Sequence, residues 1–514
     1  KLSNDLNIEA AITDNNVPIQ PDGNTQQIQE FDKIFIRLSK DKNIFTAGDI
    51  EIQPLAKNYF LKYNRKSQGA DFQTSFSPGL SSRDEMFVRA NGSFGKGRYT
   101  RQNITAVEGN LGPYKLKGSN NETFIIVLAG SEKVFIDGSL LTRGEDNDYI
   151  IDYNTAEITF TTKTIITSKS RIVVEFEYSD KNYSRSLITS DIDYKAGKFT
   201  AGFSIFSESD LKNQTIQQDL SNDQKLIMSL VGDSIQNAYT SGVNQIGFTT
   251  ERVMYAMVDS LGYDSVFVYS TNTDSARYAL TFSNVGKNNG NYVQTGSSAN
   301  GRVFKWVVPV AGVPQGEYEP IMQLITPKKK EMYAFRAGID FDKTTSLQAE
   351  LAISNNDVNL FSDINDGDNT GQALTLSFRD IQSIGHDTIK KWKNTTQVRT
   401  EMINRRFQEI DRFRSVEFSR NWNLDMMENS GNTWFGQADV MLHNELNDKV
   451  RLSSGFFMRN ADNASYQNLL QINRHWKNTI LNSTGSYLAS PAAGNKTNFL
   501  QYQNSLLQKF GKLS

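Results

Sequence analysis

The sequence predicts an all-β fold: an extended antiparallel meander, interrupted by two inserted small β domains and carrying only minor helix. Three observations predict it. Apolar and polar residues alternate with a period of two over much of the chain, as at Ile34, Ile36 and Leu38 or at Phe199, Ala201, Phe203 and Ile205. That period places each set on one face of a strand. Turn clusters such as Gly95-Lys96-Gly97, Ala196-Gly197-Lys198 and Asp342-Lys343-Thr344-Thr345 separate the alternating runs, as hairpins require. Phe (31) and Tyr (20) are plentiful and Pro (10) is scarce, which favours pleated structure.

The elements follow in order. Residues 1–110 read as N-terminal antiparallel hairpins. There Phe60, Lys62 and Asn64 oppose Tyr59, Leu61 and Tyr63, and Phe87, Arg89 and Asn91 lead through a glycine turn into a second arm over 98–107. Residues 111–182 read as an inserted β-sandwich module. Short β-branched runs, Ile125 to Leu128, Val134 to Ile136 and Ile158 to Phe160, alternate there with Asp137-Gly138 and Gly144-Glu145-Asp146 turns. Ile126 and Phe135 are expected in its core. Residues 183–206 form a meander hairpin around Gly197.

Residues 207–330 read as a second insertion, a helix followed by a small β domain. Ser221 and Gln224 fit a capping box, in which each side chain satisfies an orphan backbone N–H. Leu226, Ile227, Leu230 and Val231 follow at helical spacing and Gly232 ends the run. Residues 331–514 resume the meander. One exception is expected at 399–414, where Ile403, Phe407, Ile410 and Phe413 fall on one helical face; Val416, Phe418 and Trp422 then return to strand spacing.

A chain of 514 residues is expected to hold about three or four structural units. Its net charge of −2 gives no electrostatic footprint for nucleic acid. Cysteine is absent, which suits export into an oxidising compartment, and a core of this size needs no disulfides. No apolar run reaches the length of a membrane-spanning helix. The chain starts at Lys1 and stops within a strand-like run over 506–513, so it reads as a mature or trimmed piece of a longer precursor.

Candidate sites are few. Asp366, Asp368 and Thr370 resemble the start of a calcium loop, but the closing acidic residue is replaced by Ser377. The competing reading is a solvated hairpin tip. His386, His443 and His475 sit in separate hairpins without zinc-ligand spacing. Asp146, Asp148 and Asp152 could be imagined as an acid/base pair, but their place around a tight turn favours turn chemistry. No catalytic constellation and no cofactor-binding motif stands out, so a non-enzymatic protein is expected. Arg405, Arg406, Arg412 and Arg414 belong to a basic cluster interleaved with Glu401, Glu409, Asp411 and Glu417. This reads first as a charge-laced exposed face and second as a docking surface.

The run Gly112-Pro113-Tyr114 to Asp152-Tyr153, with Gly130-Ser131, Val134, Asp137-Gly138 and Asp148-Tyr149-Ile150-Ile151-Asp152-Tyr153, resembles modules of large envelope β-proteins from bacteria with a type 9 secretion system. Thr46-Ala47-Gly48-Asp49, Asn300-Gly301-Arg302-Val303 and Glu417-Phe418-Ser419-Arg420-Asn421-Trp422 extend the likeness, which includes the giant translocon of that system. The resemblance implies a periplasmic subunit associated with the outer membrane. It would bind the type 9 translocon barrel and its accessory subunits and close the periplasmic end of that channel. Two other readings stay open: a surface adhesin or glycan-binding protein, and part of an outer-membrane β-barrel, against which the charges on both faces of an expected strand over 412–422 weigh.

Overall fold

The alternating runs pair into one sheet. In the computed structural model, sixteen strands form a single antiparallel sheet in strict chain order, apart from the inserted segments. They are Leu6–Asp14, Asp32–Lys40, Asn43–Ile52, Arg65–Phe76, Asp84–Gly95, Tyr183–Ala196, Phe199–Thr215, Lys329–Asp340, Ser346–Asp357, Thr370–Ile384, Trp392–Ile403, Thr433–His443, Lys449–Arg459, Asn463–Trp476, Thr479–Ala492 and Asn495–Gln508. The structure describes residues 6–14, 32–55, 57–81, 84–119, 122, 125–179, 182–216, 220–298, 300–385, 392–424, 431–459, 463–476, 479–492 and 495–508. The expected all-β class with minor helix is the observed one.

The first unit comprises 1–216, 329–357 and 367–514. Within it, the segment between Asp84–Gly95 and Tyr183–Ala196 folds as a module. Arg98–Thr105 pairs with Arg171–Ser179, which also pairs with Lys133–Ile136 and Ile126–Val127. Tyr149–Asp152, Glu157–Phe160 and Tyr114–Lys115 make a second sheet. Leu116, Val134, Ile158, Val174 and Phe176 fill the space between the two. The strand Arg98–Thr105 therefore belongs to this module. It is not the second arm of a hairpin with Asp84–Gly95, whose partner is instead Tyr183–Ala196. Ile126 is only half-buried. Phe135 is buried, but outside the module's apolar cluster, under the Arg412 guanidinium at 5.2 Å.

The second unit comprises 217–328 and 358–366. Its helix, Asn222–Leu230, carries the expected capping box between Ser221 and Gln224, and Gly232 follows at φ +57°. Two four-stranded sheets share an aromatic core of Tyr255, Phe267, Tyr292 and Phe304. The hydroxyls of Tyr292 and Tyr255 accept the backbone N–H groups of Phe267 and Phe304, each at 3.1 Å. Asn359 ties the helix end by donating to the Met228 and Gly232 carbonyls at 2.8 Å. Residues 358–366 thus join this unit, although the sequence reading left them in the meander.

Two other expectations need correction. Residues 57–64 form no strand, although Phe60, Leu61 and Tyr63 are buried. The region 399–414 is not helical: Trp392–Ile403 is a strand, and the chain beyond it is irregular up to a single helical turn, Phe418–Asn421. Tertiary hydrogen bonds replace the helical ones there. The N–H groups of Asn404, Gln408 and Asp411 bind the Gln372 carbonyl, the Ser354 hydroxyl and the Lys62 carbonyl. A backbone whose groups are already satisfied gains nothing from an isolated helical turn.

Candidate functional site: the filled face of the sheet

The two faces of the large sheet differ in an unusual sense. One row of cross-strand partners runs Phe203, Phe335, Leu351, Leu374, Met402, Trp434 and Met458. From Phe335 to Trp434 these side chains are exposed. Ile36, Phe45, Phe72, Ile188, Leu376, Val440, Leu452, Tyr466 and Leu500 are also exposed, and the register puts them on the same face, because residues directly opposite share a face. The other face is largely buried and carries many polar side chains. Thr46, Ser67, Asp71, Asn91, Thr189, Asp191, Ser204, Glu350, Thr375, Glu401 and Ser453 lie there. Apolar residues out and polar residues in reverses the order of a water-soluble sheet.

Two segments of the chain cover part of the polar face: 57–64, which follows the strand Asn43–Ile52, and 404–422, which follows Trp392–Ile403. They pack where that face is lined by small or apolar residues. Phe60, Leu61, Ile410 and the half-buried Phe407 and Phe413 meet Leu187, Phe206, Met332, Ala334, Ala352 and Ala373. Close approach requires Gly371 here, since a Cβ would run into the Phe407 backbone. Farther along the sheet, Trp422 and Phe418 sit on Phe435 and Phe457.

Polar contacts pin the same segments. The Tyr59 and Phe60 amides donate to the Glu350 carboxylate at 2.6 and 2.8 Å. Asn58 donates to Ser204 at 3.2 Å, and Ser204 donates to Asp191 at 2.6 Å. The Tyr59 hydroxyl donates to Glu401, and Arg414 holds the other Glu401 oxygen at 2.7 Å. Burial, then the Glu401 charge, pushes the Tyr59 phenol well above its ordinary value. Arg65 grips Asp411 with two hydrogen bonds of 3.0 and 2.7 Å. Glu208 and Glu177 stand 3.5 and 3.6 Å from the Arg65 Nε. Glu177 comes from the module and also accepts the Lys66 amide at 3.2 Å. Its burial pushes the carboxyl up to about 7.

Beyond the filling segments the polar face borders an open cleft of about 580 Å³. Lys57, Lys62, Asp193, Arg336, Arg379 and Arg399 line it with charges of both signs. A second cleft, of about 760 Å³, lies between the module and residues 403–420.

The residues singled out in the sequence take different places. Arg412 pairs with Glu175 at 2.5 Å and Arg414 stacks 4.3 Å over Phe418, so both hold the fold together. Arg405 is exposed; Arg406 is also exposed and donates to the Gly367 carbonyl at 3.0 Å. These four do not form one free surface. Asp366 lies in a single turn of 3-10 helix, Asp366–Asp368, and with Asp368 and Thr370 it is exposed. Among the described residues no group of three or more metal-ligating side chains gathers. Asp148 and Asp152 accept backbone N–H groups of Thr142, Asn154 and Thr155, as turn residues do. His386 lies outside the described residues. Sequence reasoning missed the filling segments and the Arg65–Asp411 clasp. No local sequence signal marks that clasp, which joins residues 346 positions apart.

Residues 99–180 match a family described as a domain of unknown function, DUF8818. The match spans the module from its first strand, Arg98–Thr105, to its last, Arg171–Ser179. No curated protein and no solved structure matches the chain.

Proposed function

We propose that the sixteen-stranded sheet is itself a wall of an outer-membrane β-barrel, and that the chain's own segments close the channel it lines. The observation that carries this reading is the reversed alternation. An exposed apolar face spread over the sheet is costly in water, whereas strands in lipid alternate apolar-out and polar-in. Strands of 9 to 17 residues suffice to cross a bilayer at a tilt. The longest connections, 96–182 and 216–328, leave the same end as 53–64 and 404–432, while 41–42, 197–198 and 341–345 turn at the other. Outer-membrane barrels share that asymmetry, with the long loops outside. The charges over 412–422 that weighed against a barrel lie off the sheet.

The resemblance led to the expectation of a separate stopper bound to a type 9 channel. An apolar outward face fits lipid better than a water-bathed docking surface. The likeness to the giant translocon supports the same membrane reading, with 57–64 and 404–422 as a built-in closure. Among the described residues the first and last strands each have one partner. In a membrane those edges have to be paired, with each other or with further strands.

The absence of cysteine makes the test clean. Single cysteines at Phe335, Leu374 or Leu452 are expected to resist a membrane-impermeant maleimide in bilayers and to be quenched by spin-labelled lipid. Cysteines at the turn residues Lys42 and Lys343 are expected to label freely. If the outward positions label as fast as the turns, and the protein stays dispersed without detergent, the membrane reading fails.

A further inference from the structure

The cleft of about 580 Å³ beside the filling segments holds a group of donors that the fold leaves unused. Three neighbouring strands supply it: Ser346–Asp357, Thr370–Ile384 and Trp392–Ile403. Ser377 lies opposite Gln348 on one side and Arg399 on the other, and Arg379 lies opposite Gln397. Residues directly opposite share a face, and diagonal partners such as Arg379 and Arg399 stand about 7–8 Å apart, within reach of long side chains. All five line the cleft. Among the described residues, the side chains of Gln348, Ser377, Arg379 and Gln397 have no hydrogen bond and no ion pair. Arg399 has only the Tyr59 ring, which its guanidinium covers at 4.8 Å.

The carboxylates of the cleft do not answer these two cations. Glu350 accepts the Tyr59 and Phe60 amides. Asp193 is held by Arg336 at 3.0 Å, with Lys57 at 3.9 Å. Glu85 pairs with Lys42 at 3.5 Å. Asp340 lies opposite Ser346, which lies opposite Arg379, so two strand spacings, about 10 Å, separate it from that residue. Glu401, next to Arg399 on the same face, is taken by the Tyr59 hydroxyl and Arg414.

The lining holds two more polar atoms that are buried without a hydrogen-bond partner among the described residues, the Thr375 hydroxyl and the Arg336 Nε. Buried polar groups are nearly always paired. Water can accept such bonds, but it brings no charge to two guanidinium groups. Guanidinium forks match phosphate oxygens two at a time, and a pair of them balances a dianion. The cleft opens on the polar face of the sheet, opposite the apolar one, so a free anion reaches it and a lipid headgroup does not.

We propose that this cleft binds a free phosphate-class dianion between Arg379 and Arg399, with the Ser377 hydroxyl and the Gln348 and Gln397 amides donating to its remaining oxygens. The proposal concerns the cleft alone and does not rest on the membrane reading.

The probe is inorganic phosphate, titrated by calorimetry into the purified full chain in a phosphate-free non-ionic detergent. The titration is run at about pH 8, above the second ionisation of a phosphate group. Phosphate should bind at one site, about tenfold or more tighter than acetate, which carries a single charge. Arg379→Gln and Arg399→Gln should each weaken it about tenfold, as the loss of a charge-assisted contact implies. Ser377→Asp, which sets a carboxylate beside both guanidinium groups, should abolish it. Neither Arg379 nor Ser377 has a side-chain partner to lose, so both variants should keep the wild-type far-ultraviolet spectrum. Lys343→Gln, at an exposed turn outside the cleft lining, should bind phosphate as the wild type does. Failure of the wild-type chain to bind phosphate would overturn the proposal, as would equal affinity for phosphate and acetate. Wild-type affinity in Ser377→Asp would overturn it too, because the anion would then sit elsewhere. So would an equal loss in Lys343→Gln and Arg379→Gln, which would reduce the effect to net charge.

Discussion

Removing the Asp411 carboxylate should open the filled face of the sheet. Asp411 accepts two hydrogen bonds from the Arg65 guanidinium, at 3.0 and 2.7 Å, and one from the Asn64 amide at 3.2 Å. Both side chains are nearly inaccessible, 4% and 14% exposed, so solvent does little to screen the pair. In Asp411→Ala, Arg65 keeps the Asn64 carbonyl at 3.0 Å, but its remaining carboxylates, Glu208 and Glu177, are more distant. Breaking one side of a buried pair costs about 3–5 kcal/mol. If that cost falls on the closed position of 404–422, its opening constant rises by about two to four orders of magnitude. Gly371→Ala attacks the same position without touching charge, since the new methyl meets the Phe407 backbone. Both variants should raise single-channel conductance in planar bilayers and speed amide exchange over 57–64 and 404–422, with exchange in the strands unchanged. If both leave conductance and exchange at wild-type levels, the segments do not close the sheet in the way the geometry implies.

Other predictions concern the module and the outward face. With burial pushing Glu177 up to about 7, its contribution to stability is complete below about pH 4.5 and lost as pH rises through about 7. Glu177→Gln should therefore raise the melting temperature of the module at about pH 8 and leave it unchanged at about pH 4; the opposite order would refute the assignment. Leu374→Arg, on the outward face, should cost about 2–4 kcal/mol in lipid, measured by reversible urea unfolding into bilayers. Ser377→Arg, on the cleft side, should cost far less. Phe176→Ala, fully buried in the module, should destabilise it by about 3–5 kcal/mol in denaturant melts.

The hairpins were legible because turn chemistry and alternation agree. Gly197 sits at φ +57° between two strands whose alternation runs unbroken on either side. The helix Asn222–Leu230 was legible from its cap. Which alternating set faces outward was not, since a period of two separates faces without saying what covers them. Leu374 and Thr375 read alike whether the apolar set packs on a core or meets lipid; only the burial of Thr375 and the exposure of Leu374 decide. The filling segments hid for a related reason. Ile403, Phe407, Ile410 and Phe413 have helical spacing, but their common side is fixed by the sheet beneath them. Tyr59 to Tyr63 alternate like a strand without any neighbouring strand to pair with. The ionic contacts join residues far apart in the chain, such as Arg65 and Asp411, and nothing local encodes them.

The pairing of Arg98 with Tyr178 has a kinetic consequence. The strands Asp84–Gly95 and Tyr183–Ala196 must meet with Phe94 opposite Ser186, across the whole module. Closing so long a flexible loop costs about 4 kcal/mol of chain entropy, by the logarithmic dependence on length. Once the module has folded, its first and last strands lie side by side. The open chain left between the two sheet strands then shrinks to the few residues on either side of it. The module acts as a prefabricated turn, so its folding should precede and accelerate zippering of the sheet around it.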